Sequence, residues 1–212
     1  MIKLSLKGFA DFMSAGPAKQ RTILRQYKYP DEDEARAKIV YYREARDRIA
    51  AYHKSREEPA WLDTQANSIA TLAAANSGQT RVRLGHNARA LAQYRQHFAQ
   101  SVYEVLGEVT LRYTVDDVTI SVAPDLHVRE KGSEKIIKFE FGKNEPPARL
   151  VKILSQVMFQ AAEGSGLGLP SSSVLYVDVP RNKIYKGARA GARMARDLEA
   201  TCQMISALWQ SI

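Results

Sequence analysis

The chain has 212 residues, of which 45% are hydrophobic and 25% charged, a balance that suits one good core or a core with an appended subdomain. Its 31 Lys and Arg outweigh 23 Asp and Glu for a formal net charge of +8, which favours an anionic partner, nucleic acid before membrane. No apolar run approaches the roughly 20 residues that span a bilayer, the N-terminal MIKLSLKGFADFM lacks the pattern of a signal peptide, and a single cysteine, Cys202, excludes an intrachain disulfide. With only four histidines, a structural zinc site is not expected either, and a reducing cytoplasm fits.

In chain order, Leu6 to Met13 reads as a short helix closed by Gly16-Pro17. Pro17 to Tyr27 is a second, with Ile23 and Leu24 inward and Lys19, Arg21 and Arg25 solvated. The run Asp31-Glu32-Asp33-Glu34 suits the positive end of a helix dipole and opens a long helix to about Ser55, with Ile39, Val40, Tyr42, Ala45, Ile49 and Tyr52 as its stripe. Pro59, in the first-turn position that tolerates proline, starts another through Ala75, closed by Asn76-Ser77-Gly78. A fourth long helix is predicted from about Arg81 to Leu106, on the spacing of Leu84, Ala88, Leu91, Tyr94, Phe98, Val102 and Val105, with Gly107 as its stop.

The period then changes to two. Val109, Leu111 and Tyr113 alternate with polar residues, Asp116-Asp117 turns the chain, and Val118, Ile120 and Val122 form a second strand running into Pro124-Asp125. After the Gly132-Ser133 turn, Ile137, Phe139 and Phe141 form one face of a third strand, and Lys138 and Glu140 the other. Pro146-Pro147 starts a helix to about Glu163. Ser173 to Val179 is a nearly continuous apolar strand, as for one buried on both faces, and a last helix runs from about Gly187 to Trp209. The expected class is α+β. Residues 1–80 form a helical N-terminal subdomain, and residues 81–212 form an α/β core of order αβββαβ with a mixed central sheet and a C-terminal helix.

Asp125 and Glu140 are the residues where chemistry outweighs packing. Glu140 lies between Phe139 and Phe141, where a carboxylate is costly unless a lysine or a metal ion compensates it. Two carboxylates are the hard oxygen donors that Mg2+ or Mn2+ takes, and Lys138 or Lys143 could position the attacking water. The competing reading is an edge aspartate beside a Lys138–Glu140 surface pair.

This order of elements, with Pro124-Asp125 and Glu140, resembles the PD-(D/E)XK nuclease superfamily, whose core is restriction-endonuclease-like. The resemblance covers about the middle half of the chain. It implies a Mg2+-dependent deoxyribonuclease of the kind that serves repair, restriction and phage defence, with Asp125 and Glu140 as metal ligands and catalytic acids. The lysine of the acid-x-lysine motif is displaced, because Gly142 stands in its place. Lys143, Lys138 and Lys152 are the replacements the resemblance allows. It also implies a glutamate from the first core helix, Glu104 or Glu108, as a further metal ligand, and it draws attention to His86, Gln156 and Gln160. If no lysine substitutes, the alternative is a catalytically inactive nuclease-like fold that binds nucleic acid or serves assembly.

Lys186, Arg189, Arg193 and Arg196 recur at three- to four-residue spacing and are expected to share a helical face that grips the phosphates of DNA, or of RNA. Tyr185 is a candidate for base stacking or for the core. The helical N-terminal part is the expected surface for a homodimer or a protein partner.

Overall fold

The structure, a computed structural model, describes residues 1–31, 41–188 and 192–212. It is an α+β fold with mixed sheets and a C-terminal helix. Strand β1 (Ile2–Ser5) leads into helices α1 (Leu6–Ser14) and α2 (Pro17–Lys28). Helices α3 (Arg43–Ser55), α4 (Pro59–Ala74) and α5 (Gly78–Phe98) follow. Strands β2 (Glu104–Val105), β3 (Leu111–Val115), β4 (Val118–Val122), β5 (Leu126–Glu130) and β6 (Ser133–Glu140) come next. Helix α6 (Ala148–Gly164) crosses to β7 (Val174–Asp178), then come β8 (Lys183–Lys186) and α7 (Ala192–Gln210). Among the described residues, no helix is long and apolar enough to cross a membrane.

The strands form two sheets rather than one. The first has the order β1-β4-β3, with β1 parallel and β3 antiparallel to β4. The second has the order β2-β5-β6-β7-β8, in which β6 and β7 run parallel and the other pairs antiparallel. The expected second strand is therefore split. It leaves the first sheet at Val122 and joins the second at Leu126. Pro124 lies in the break, where its missing N–H would interrupt a ladder. A two-residue turn joins β5 to β6, with Lys131 and Gly132 both at positive φ (49° and 80°), the backbone twist that favours tight hairpins.

Alternation along β6 places its two faces in different cores. Ile136 joins Val174, Tyr176, the first sheet and residues of α1, α2, α6 and α7 in one cluster. Ile137, Phe139 and Phe141 join Leu126, Val128, Leu175 and Val177 under α3, α4 and α5 in the other. The described part of residues 1–80, expected as one helical subdomain, thus divides between the two cores, and the first strand pairs with β4. The long acidic-capped helix is described from Arg43, and the Glu32–Glu34 part of its expected start lies outside the described residues. The helix expected to reach Leu106 ends at Phe98, and its last stretch contains β2 instead.

Candidate active site

Asp125 stands just before β5, one position beyond the Leu126–Ile137 pair. Because β5 begins only at Leu126, the N–H of Phe139 on β6 finds its acceptor in a side chain, donating to Asp125 Oδ2 at 2.8 Å. The other oxygen, Oδ1, accepts from Lys138 Nζ at 2.9 Å and from Arg46 Nη1 at 3.3 Å. The Asp125 side chain is only 5% exposed, so these two cations compensate a carboxylate that burial would otherwise penalise. Lys138 also donates to Ala123 O at 3.0 Å, bridging the break between the sheets.

Glu140 projects from the same face of β6 as Lys138. Its Oε1 accepts from the Gly142 N–H at 2.6 Å and its Oε2 from the Tyr176 hydroxyl at 2.7 Å. Tyr176 lies opposite Lys138 on β7, and burial followed by the Glu140 charge pushes its hydroxyl far above the usual phenol range, so it remains a donor. A Cβ at Gly142 would stand 2.6 Å from Glu140 Oε1. The backbone at 142 thus approaches a carboxylate that any side chain at this position would push aside. Beside Glu140 in register, the fully buried Asp178 accepts from Arg181 Nη1 through both oxygens, at 2.9 and 3.1 Å. Arg181 also binds the carbonyls of Gly142, at 3.4 Å, and Lys143, holding this loop in place.

The helical layer overhangs the same end of the sheet. Tyr42, which caps α3, donates its hydroxyl to Phe141 O at 3.3 Å, and Arg46 follows one turn later. Burial, then Tyr41 and Glu140, raise the Tyr42 hydroxyl above its usual range, and Arg89 opposes them. The Tyr41 hydroxyl and His86 Nδ1 share a hydrogen bond of 2.8 Å.

The structure thus gathers Asp125, Lys138 and Glu140, and adds Arg46, Tyr176 and Asp178, which sequence reasoning missed, together with Arg181, a basic residue just after the last apolar strand. Tyr176 and Asp178 left a trace, as the polar residues two apart in an otherwise apolar strand. Arg46 left none, because only the packing of α3 brings it there.

Lys143 lies in the loop that Arg181 holds after Glu140, and the other candidates lie elsewhere. Lys143 and Lys152 are exposed, the latter on α6. Glu104 sits on the edge strand β2 and not at a helix end. It pairs with Arg129 at 3.1 Å, four residues or about 13 Å along β5 from Asp125 at ~3.3 Å per residue. Glu108 is an exposed residue of the loop before β3. Lys186 is on strand β8 and so shares no helical face with Arg193 and Arg196, which are exposed on α7; Arg189 lies outside the described residues. Lys186 pairs with Leu175, three residues or about 10 Å along the sheet from Asp178. The β8 cation at the carboxylate end is Lys183, opposite Asp178 and ion-paired with Glu145. Gln156 is buried, and Gln160 lines a separate cleft of about 450 Å3 with Glu163 and Ser171.

Among the described residues, no group of three or more His, Cys, Asp or Glu converges to hold a metal ion. Two carboxylates remain. With about four lone-pair sites each, Asp125 retains about one and Glu140 about two after the bonds above. Both are hard oxygen donors of the kind Mg2+ or Mn2+ takes, with phosphate and water oxygens able to fill the rest of such a sphere. No protein-family model and no curated protein matches this sequence.

Proposed function

We propose that the chain is a metal-dependent nuclease that hydrolyses DNA phosphodiester bonds, with Asp125 and Glu140 as its acids and Lys138 as the displaced lysine. The observation that carries this reading is the 2.9 Å contact of Lys138 Nζ with Asp125 Oδ1, two residues along one strand face from Glu140. A metal ion held by Asp125 and Glu140 would polarise the phosphate and acidify a water.

The protein's own groups set the geometry. The Phe139 N–H aims Asp125, while the Gly142 N–H and the Tyr176 hydroxyl aim Glu140. All three anchors are backbone groups or a packed side chain, the kind of support that keeps ligands in place. Lys138 carries a compact charge on a flexible stem, able to move from Asp125 to a phosphate oxygen or to the attacking water. The formal charge of +8 favours the approach of a polyanion.

The test is incubation of purified protein with linear and nicked DNA in Mg2+ or Mn2+. Cleavage is expected that EDTA abolishes and that Asp125→Ala or Glu140→Ala lowers about 100-fold or more. Cleavage no greater than that of the double variant Asp125→Ala/Glu140→Ala removes the catalytic claim.

A second reading rests on a different observation: Asp125 is already neutralised by Lys138 and Arg46, and Glu140 already has two donors. In that reading the chain is a catalytically inactive nuclease-like fold that binds nucleic acid or serves assembly. It requires salt-sensitive DNA binding that is indifferent to EDTA and to Glu140→Ala.

A further inference from the structure

Two acids at the end of a sheet repel a polyanion, so a nucleic acid that reaches them needs cations close by. The tail residues do not supply them all, since Lys186 sits about 10 Å along the sheet from Asp178. The helical layer lies closer. Arg46 Nη1 is 3.3 Å from Asp125 Oδ1, and Tyr42 is tied to Phe141 O immediately after Glu140 on the chain. On α5, Arg89 follows His86 by three residues, a spacing that puts both on one helical face roughly 5–6 Å apart. His86 is in turn bonded to Tyr41, beside Tyr42. The opposing influences of Glu140 and Arg89 on the Tyr42 hydroxyl agree with this arrangement.

We propose that Arg46 and Arg89, set by Tyr42 and the Tyr41–His86 pair, form a second wall of the site that grips nucleic-acid phosphates next to the one facing Asp125 and Glu140. The helical layer then supplies substrate contacts as well as packing. Arg46 has a double duty: its Nη1 holds Asp125, and its fixed positive charge attracts a phosphate. Arg89 is exposed and acts on the phosphate backbone alone. Such contacts set affinity and register without reading bases. The inference rests on the nucleic-acid reading above but not on catalysis.

The experiment uses the full chain. Binding of labelled duplex and single-stranded DNA is followed by fluorescence anisotropy over a salt series in EDTA, and cleavage kinetics are measured in Mn2+. The variants are Arg89→Gln, Arg46→Gln, Arg46→Lys and the control Arg21→Gln, an exposed residue of α2. Arg89→Gln should weaken binding about five- to tenfold and reduce the log–log salt slope for duplex by about 0.9, the contribution of one phosphate. It should raise KM while leaving kcat within about twofold. Arg46→Gln should lower both binding and kcat, and Arg46→Lys should restore part of the binding. Arg89 makes the test independent of folding, since its side chain is exposed. If the parent chain binds and cleaves DNA and Arg89→Gln and Arg46→Gln match the Arg21→Gln control in affinity and slope, the wall is refuted and the nuclease reading stands. If binding falls as expected but no variant or parent cleaves, the wall stands and the nuclease reading fails. A parent chain that binds no nucleic acid overturns both.

Discussion

Gly142 shows how one residue settles the character of the site. Its N–H is 2.6 Å from Glu140 Oε1, and a Cβ there would be 2.6 Å from the same oxygen. Gly142→Ala is expected to push the carboxylate aside, leaving Glu140 anchored only by Tyr176. The stability loss should be about 1 kcal/mol, the worth of one charge-assisted bond partly replaced by water. Metal-dependent cleavage should fall more steeply than stability does. Thermal unfolding beside a cleavage assay measures both, and a variant with unchanged cleavage would free Glu140 from any catalytic part. Glu140 was legible in the sequence because a carboxylate between two phenylalanines calls for compensation, Lys138 because it shares the strand phase of Glu140, and Asp125 because it follows Pro124 at the end of an alternating run. Their partners were not. Arg46 is 79 residues from Asp125 and Tyr176 is 36 from Glu140. No local pattern encodes such separations.

At the scale of elements, the helices are closest to expectation, because three- and four-residue spacing repeats over many turns. Strands β1 and β8 have four residues each, too few for a period to declare itself. Strand β1 also takes its partner from β4, more than a hundred residues later in the chain. The division of the meander at Pro124 was hidden for a related reason: alternation continues on both sides of the break, while the sheet it serves changes. One close approach fixes the first helical pair. A Cβ on Gly8 of α1 would stand 2.0 Å from the Tyr27 hydroxyl and 2.5 Å from the ring carbon that bears it. Gly8→Ala is therefore expected to destabilise by about 1–3 kcal/mol through overpacking. Adding Tyr27→Ala should relieve part of that cost, so the two changes will be non-additive in a denaturant double-mutant cycle. Additivity within about 0.5 kcal/mol would contradict the close packing of α1 on α2.

For the whole molecule, two buried groups report on integrity. His53 is 5% exposed, and its Nε2 shares a 2.6 Å hydrogen bond with the Tyr94 hydroxyl. Burial lowers its pKa from 6.5 to about 4. The unfolded chain therefore binds a proton that the folded chain refuses between these values. Its contribution is fully present above pH 6.5 and is lost as the pH falls toward 4. The loss is about 3 kcal/mol at 1.36 kcal/mol per pKa unit. Urea unfolding at pH 7 and pH 4 should show it, and His53→Phe should flatten that slope. Cys202 is buried, and burial, followed by the charges of Asp116, Asp117 and Glu199, pushes its thiol up to about 12. Thiol reagents at pH 8 should label it only after denaturation; rapid labelling of the native chain would mean that the core around α7 opens. The sequence by itself determined the α+β class, the long helices, the strand phase of Lys138 and Glu140, and the basic excess, because each depends on local period or on composition. Tertiary structure alone decided that the strands form two sheets, that the described part of the first 80 residues divides between two cores, and that Arg46, Tyr176 and Arg181 surround the acids. Those outcomes depend on which distant surfaces bury one another, a property of the folded whole that no window of sequence contains.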